Sequence, residues 1–382
     1  MFLEDITQNE IQLSNQIKNK SVLVIGGAGT IGSSFIKALL TFKPSKLIVV
    51  DINENGLTEL TRDLRSSDII SMPEEYITYP MSYADSVFYK MFKANNGFDI
   101  IANFSAHKHV RSEKDIFSVE ALIKNNVINA KALLDFLELY PPSHFFCVST
   151  DKAANPVNIM GGSKKIMENL IMTYSQSFPV TTARFANVAF SNGSLPQGFL
   201  ERISKKQPIS APNDVTRYFV SYEESGQICL LACILGNTGE IYFPKLREEQ
   251  VMTFSNIAIK LLEASGYDLD YCSSEKEAVK KSLNGFENKY PVYFSGSNTT
   301  GEKPYEEFYT KDETVSLNKY QALGVVVNSK SQKISEVNDL LDDLNKAFDD
   351  EKTSKKDIVT IMKNFLINFD HQEFGKSLDS KM

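Results

Sequence analysis

Residues 21–40 read SVLVIGGAGTIGSSFIKALL. An apolar run of one strand's length meets a glycine-rich turn, and the turn opens directly into residues with helical spacing. Gly26, Gly29 and Gly32 stand in that turn, with Thr30 and Ile31 between the last two. Strand, tight turn and helix in this order bring backbone N–H groups and the positive end of a helix to one point, which suits a pyrophosphate. A second buried strand, KLIVVD, ends in Asp51, 19 residues beyond Gly32. A carboxylate there accepts hydrogen bonds from a ribose diol. Asp51 would also repel a 2′-phosphate, and no Arg follows it in DINEN, so the pattern favours NAD over NADP.

Further along the chain, YITYPM, FDIIANFSA, HFFCVST and VTTARFANV read as strands three to six. Amphipathic stretches such as ENGLTELTRDLR, and the run from Val119 to Leu139, supply helices between them. Apolar strands alternating with helices predict an α/β fold, a Rossmann-type doubly wound parallel sheet covered on both faces. After about residue 190 the rhythm loosens: GEIYFP and YPVYFSG are short strands among longer loops, with helices near 222–235 and 253–265. The expected division is an N-terminal helical extension over 1–19 and an NAD-binding domain over 20–190. A smaller substrate-binding lobe over 191–330, interleaved with that domain, and a helical tail over 331–382 complete it. In the tail Val337, Leu340, Leu341, Leu344 and Phe348 recur at helical spacing, the mark of a packing face.

Composition narrows the function classes. The chain has 382 residues, a formal charge of −7 and 42% hydrophobic residues, so it has no basic footprint for nucleic acid. Cys147, Cys229, Cys233 and Cys272 follow no disulfide or zinc spacing and read as thiols in a reducing compartment. His107, His109, His144 and His371 do not form a metal set, and no metal is expected. No apolar run is long enough for a membrane span, and MFLEDITQNEIQ is too acidic for a signal peptide. A cytoplasmic location is the expectation.

Strand five runs into STDKAANPVNIMGGSKK, residues 149–165. In a doubly wound fold ligands collect at the carboxyl ends of the strands, so Thr150, Asp151 and Lys152 are expected to face a site. A hydroxyl, an acid and an amine side by side offer hydrogen bonding, proton donation and proton abstraction.

That stretch resembles the Ser-Thr-Asp-Lys-Ala-x-Asn-Pro-x-Asn-x-(Tyr/Met)-Gly-x-(Ser/Thr)-Lys signature of the nucleotide-sugar 4,6-dehydratases of polysaccharide biosynthesis, in the extended short-chain dehydrogenase/reductase superfamily. SAHKHVR is similar to Ala-Ala-x-Lys-His-Val-Pro, with Arg111 in place of Pro. RFANV is similar to Arg-Phe-Gly-Asn-Val, with Ala186 in place of Gly, and TGEKPYEE to Pro-Gly-Glu-Lys-x-x-Glu-Glu. The likeness spans roughly residues 20 to 310.

The resemblance implies an NAD-dependent 4,6-dehydratase, most simply of UDP-N-acetylglucosamine, that also assembles as a homo-oligomer. It makes Lys152 the base at sugar C5, Asp151 the acid that expels water, and Thr150 a partner of the C4 oxygen. Lys164 contacts the nicotinamide ribose. Asn53, Ser105, Ala106, Lys108 and Val188 join the glycine turn and Asp51 around the cofactor. Lys108, Asn187, Ser194, Arg217 and Glu302 are carried over to the substrate, together with His109, which also has a structural reading. An Arg that the family places before Gly-Glu-Lys is missing, and Lys245 or Arg247 in FPKLREE are the candidate replacements.

Met160 stands where the superfamily's catalytic Tyr precedes the Lys by four residues. A thioether cannot accept the C4 hydroxyl proton, so that proton needs another route, through Thr150 and Asp151. The family includes a Met-bearing branch, typically in long membrane-anchored members, whose soluble half this chain resembles. Two other readings stand beside the dehydratase. An epimerase of the same fold is disfavoured by Met160, and a silent NAD-binding regulatory protein has no need of Asp151 and Lys152.

Overall fold

The computed structural model describes residues 2–246, 250–297, 306–327, 329 and 332–372, the side chain of Arg111 apart. In chain order its strands are β1 (Ser21–Ile25), β2 (Lys46–Asp51), β3 (Glu75–Pro80), β4 (Ile100–Asn103), β5 (His144–Thr150), β6 (Val180–Phe185), β7 (Asn187–Val188) and β8 (Ile209–Pro212). They continue as β9 (Thr216–Val220), β10 (Glu240–Pro244), β11 (Val251–Thr253), β12 (Asp268–Tyr271), β13 (Lys289–Ser295), β14 (Thr314–Ser316) and β15 (Leu323–Val327).

One sheet carries the order β14-β15-β10-β6-β5-β4-β1-β2-β3. From β10 to β3 every pair is parallel, with registers such as Val22↔Leu47, Val22↔Ile100 and Phe146↔Thr181. β15 and β14 close one edge antiparallel. β1, β2 and β5 are buried along nearly their whole length, which is why they read as unbroken apolar runs. From β1 the chain steps to β2 and β3 on one side, then returns to lay β4, β5 and β6 on the other. That reversal puts the Rossmann-type switch point at the carboxyl ends of β1 and β4, where ligands collect in such sheets.

The chain divides into two compact units. The first takes the described residues of Met1–Phe185, Glu223–Lys245 and Glu307–His371 and holds this sheet. The second takes the described residues of Ala186–Tyr222 and Leu246–Glu306. It contains two small sheets, β11-β9-β7 and β12-β13-β8, and its own core around Phe199, Ile209, Leu262, Tyr290 and Val292.

Two features differ from the sequence expectation. Residues 223–245 and the described residues of 307–330, expected in the interleaved smaller lobe, fold with the first unit. The helix Tyr222–Leu235 buries every residue from Ile228 to Leu235, and β10 takes its place beside β6. VTTARFANV also splits: β6 ends at Phe185, and Asn187–Val188 pairs with β9 in another sheet.

Both ends of the described chain pack on the first unit. Asp5, in the N-terminal helix Leu3–Gln8, accepts the backbone N–H groups of Gln321 and Ala322 at 2.7 and 2.8 Å. The tail helices Ile334–Asp349 and Lys355–Phe365 place Val337, Leu344, Ile358 and Met362 in the main core. Among the described residues, no helix is long and apolar enough to cross a membrane.

His144 opens β5 in a buried setting, its Nε2 2.7 Å from Thr181 Oγ1. The Thr181 hydroxyl donates to Ala232 O at 2.9 Å, so it accepts from His144 Nε2–H. Burial pushes this imidazole down to about 4. An unfolded histidine binds its proton near pH ~6.5, so between that pH and about 4 the unfolded chain alone is protonated. Stability is full above that window and falls as pH drops through it. The loss attributable to His144 is on the order of 3 kcal/mol. Urea unfolding of wild type and His144→Gln at neutral and acid pH checks this. Equal pH slopes in the two proteins would count against it.

Candidate active site

β5 delivers Thr150 to the edge of the sheet, and the chain turns at once into a short 3₁₀ segment, Asp151–Ala153. Thr150 Oγ1 donates to Asp151 Oδ1 at 2.7 Å. Lys152 Nζ donates to both carboxylate oxygens, at 3.0 and 3.2 Å. The carboxylate side chain is 7% exposed and the lysine 28%, so the amine is the more accessible end of a three-residue hydrogen-bonded chain. Because the three residues are consecutive, the backbone alone sets their proximity.

Beneath this turn lies a buried charge network. Ser149 Oγ donates to Glu168 Oε1 at 2.6 Å, and Arg184 pairs with Glu168 and with Glu313 at 2.8 and 2.7 Å. Burial would raise the Glu168 carboxyl, but Arg184 and Lys165 beside it outweigh that and hold it well below the usual carboxylate range. The network ties the end of β5 to β6 and to the next helix.

That helix, Ile159–Thr173, begins against this turn. A side chain at Gly161 would place its Cβ 2.6 Å from the Lys152 carbonyl oxygen, so only glycine permits the approach. Asn158 Oδ1 caps the helix by accepting from Gly161 N at 2.7 Å. Glu113 accepts the two preceding donors, Ile159 N and Met160 N, each at 3.0 Å. Glu113→Ala would strand two buried helix N–H groups. We expect it to lower the unfolding free energy by about 2–4 kcal/mol in denaturant titrations; a loss below about 1 kcal/mol would contradict this account.

Met160 is 2% exposed and belongs to the main hydrophobic core. Lys164, one turn on, is also buried. Its amine donates to Val148 O at 2.7 Å and lies 3.4 Å from Met167 Sδ. Burial lowers this amine's pKa, while Cys147 and Glu168 act the other way.

The glycine turn lies at the switch point. Gly26 has a φ of +75°, and a Cβ on it would fall 2.6 Å from Ser105 N, so β1 and the loop after β4 meet backbone to backbone. Gly29 is the N-cap of the helix Thr30–Leu40 and brings no side chain to cap it, while Ile31 and Gly32 continue the first turn. Asp51 accepts from Ala28 N at 3.0 Å and Asn53 N at 2.9 Å, and Asn53 caps the next helix through Gly56 N. Ser105 N donates to Asn103 Oδ1, and Ala106 leads from it into His107. Lys108 is exposed on that loop, and His109 precedes the 3₁₀ turn Val110–Glu113.

Several positioning groups are not evident in the sequence. The run Ile116–Glu138 carries a π-helical segment, Lys124–Ile128, in its middle. There Asn126 grips His107 by both backbone groups, accepting its N–H at 2.8 Å and donating to its carbonyl at 3.0 Å. The same amide nitrogen reaches Ser163 Oγ at 3.0 Å, on the helix of Met160 and Lys164. Tyr83 Oη donates to the Asn125 carbonyl within the π segment. Adjacent asparagines inside an apolar helical run are the one local signal for this feature.

The remaining predicted residues belong elsewhere. Asn187, Val188, Ser194 and Arg217 lie in the second unit. Arg217 is 6% exposed and donates through Nη1 to Thr216 O at 2.8 Å, and among the described residues no carboxylate pairs with it. Ser194 caps the helix Leu195–Ser204. Lys245 falls in the first unit, where its ammonium is held by the carbonyls of Leu317 and Tyr320 at 2.8 and 2.6 Å. Arg247 and Glu302 lie outside the described residues.

Set against known proteins, residues 22–328 match a family model described as polysaccharide biosynthesis protein. An uncharacterized membrane protein of Methanocaldococcus jannaschii is 31% identical over 82% of this chain and 87% of its own length. The UDP-N-acetylglucosamine 4,6-dehydratase (inverting) of Campylobacter jejuni is 25% identical over 83% of this chain and 90% of its own. The chain spans only 48% and 54% of two longer bacterial relatives. Among solved structures, Pen from Bacillus thuringiensis matches with a TM-score of 0.65 at 21% identity, covering 86% of this chain and 98% of that one; the two share a fold.

Proposed function

The chain belongs to the polysaccharide biosynthesis protein family, and from that premise we propose that it is an NAD-dependent nucleotide-sugar 4,6-dehydratase. Its proposed substrate is UDP-N-acetylglucosamine, and its product a UDP-4-keto-6-deoxy-N-acetylhexosamine for surface polysaccharide or glycan synthesis. The dehydratase of Campylobacter jejuni supports that choice of chemistry. The observation that carries the reading is the hydrogen-bonded chain Thr150–Asp151–Lys152 at the end of β5.

The residues at the switch point fit a dinucleotide. A side-chain-free N-cap at Gly29 and the backbone approach at Gly26 suit a pyrophosphate, and Asp51 at the end of β2 suits a ribose diol. Bound NAD would supply oxidation at sugar C4 and reduction at C6. Gly26, Gly29, Thr30, Ile31, Gly32, Asp51, Asn53, Ser105 and Ala106 would hold it, with Lys164 beside its nicotinamide ribose.

The protein's own part is to move protons. Thr150 Oγ1 donates to Asp151 and accepts one long contact, from Lys152 N at 3.5 Å, so a second lone pair would take the O4 proton while its own proton passes to Asp151. Lys152 would take the C5 proton that the C4 ketone has made acidic. Asp151 then delivers its proton to O6, and water departs. Lys152 returns a proton to C5, and both groups regain their starting states. This route needs no Tyr at position 160. Arg217, buried and paired with no carboxylate among the described residues, and Asn187 would take the diphosphate.

Incubation with UDP-N-acetylglucosamine in deuterated water tests the reading. Dehydration with C5 proton abstraction predicts a product about 18 mass units lighter before deuterium is counted, with label at C5. Exchange or epimerisation without loss of water would replace it with an epimerase. No turnover of any nucleotide sugar would leave a silent NAD-binding protein.

A further inference from the structure

β7 is two residues long, and its ladder with β9 consists of Asn187↔Phe219 and Val188↔Val220. One residue before that ladder, the backbone N–H of Tyr218 is taken by a side chain instead of a strand: Glu306 Oε2 accepts it at 2.7 Å. The other oxygen, Oε1, accepts from Asn187 Nδ2 at 2.6 Å. A single carboxylate therefore joins the segment that carries Asn187 to the strand that carries Arg217. All of these residues belong to the second unit.

Two consequences follow from donor and acceptor roles. A carboxylate only accepts, so the contact fixes which way the Asn187 amide faces; Nδ2 points to Glu306, leaving its second N–H and Oδ1 for a ligand. Arg217 precedes Tyr218 directly, so pinning the Tyr218 N–H fixes the backbone from which the guanidinium projects. Glu306 does so without pairing with Arg217, whose charge no carboxylate among the described residues takes up. A carboxylate close to an anion site is repulsive unless its oxygens are engaged by fixed donors, and here each oxygen has one.

We infer that Glu306 is a positioning residue for the nucleotide diphosphate, orienting Asn187 and anchoring the strand of Arg217. The inference rests on the assignment of those two residues to that ligand, made above.

The test uses the full chain and UDP as the probe. Calorimetric titration compares wild type, Glu306→Gln, Asn187→Ala and the double variant, alongside steady-state kinetics. In Glu306→Gln, which keeps the side chain's volume, an amide N–H faces one of the two donors. UDP affinity is expected to weaken about tenfold and KM to rise by the same factor, with kcat within about twofold and NAD binding unchanged. In the Asn187→Ala background the same change should cost less than it does alone, because part of its effect runs through Asn187. A merely structural Glu306 would lower thermal stability and active fraction without this coupling. Should Glu306→Gln fail to fold, Glu306→Asp, which shortens the reach, carries the same expectation. UDP affinity within twofold of wild type, or full additivity, overturns the positioning role. If wild type itself does not bind UDP, the nucleotide-sugar reading falls first, and the inference with it.

Discussion

Replacing Lys152 with Met is expected to lower kcat by about 10³-fold or more, because the C5 proton then has no base. Methionine keeps the length and the apolar stem of the side chain but cannot take a proton. Among the described residues Lys152 Nζ bonds the Asp151 carboxylate alone, and the side chain is partly exposed, so the fold should tolerate the change. The loss should be specific to one step. Thr150 and Asp151 remain to receive the O4 proton, so oxidation at C4 can still proceed. Lys152→Met should therefore show reduced cofactor building up after substrate is added, by its near-ultraviolet absorbance, with no deuterium entering C5. A variant that keeps more than about a tenth of wild-type turnover would remove Lys152 from the role of base.

Asp151→Asn should be comparably damaging, by about 10²–10⁴-fold, and in a different pattern. The carboxylate accepts from Thr150 Oγ1 and from Lys152 Nζ, and in the proposed route it handles the proton twice, arriving from O4 and leaving to O6. An amide can accept the Thr150 hydrogen bond but can neither store nor deliver the proton. Neither reduced cofactor nor product should accumulate. The contrast with Lys152→Met separates the two roles within one pair of experiments. Wild-type C5 exchange in Asp151→Asn would show that C4 oxidation does not depend on this carboxylate, and the proton would need another acceptor.

What could be read from the sequence was local. β2, β5 and the helix Glu54–Arg65 coincide with KLIVVD, HFFCVST and ENGLTELTRDLR, because each is bounded by a change in hydrophobic period or by a capping residue such as Asn53. The glycine turn and Asp51 belong to one strand–helix–strand unit, and Thr150, Asp151 and Lys152 are neighbours in the chain. The groups that were not legible act across distance. Glu113 is 46 residues from the helix it caps, Asn126 is 37 from Ser163, and Glu306 is 119 from Asn187. Nothing in the period or composition near Glu306 distinguishes it from the glutamate beside it. The placement of residues 223–245 was hidden for a related reason: a helix buried on all sides has no polar stripe to show which layer it joins. Lys245 looked like a spare cation in FPKLREE, and only the fold reveals the two carbonyls that hold its charge.

The burial of Met160 has a consequence for descent. Its thioether is packed in the main core, so a bulkier phenol there would meet close-packed neighbours before it met a sugar. Methionine and tyrosine codons also differ at every position, so no single nucleotide change connects them. In the proposed route the proton passes to Thr150 and Asp151, so a tyrosine placed at 160 would have to displace these core neighbours and would add no acceptor that the route requires.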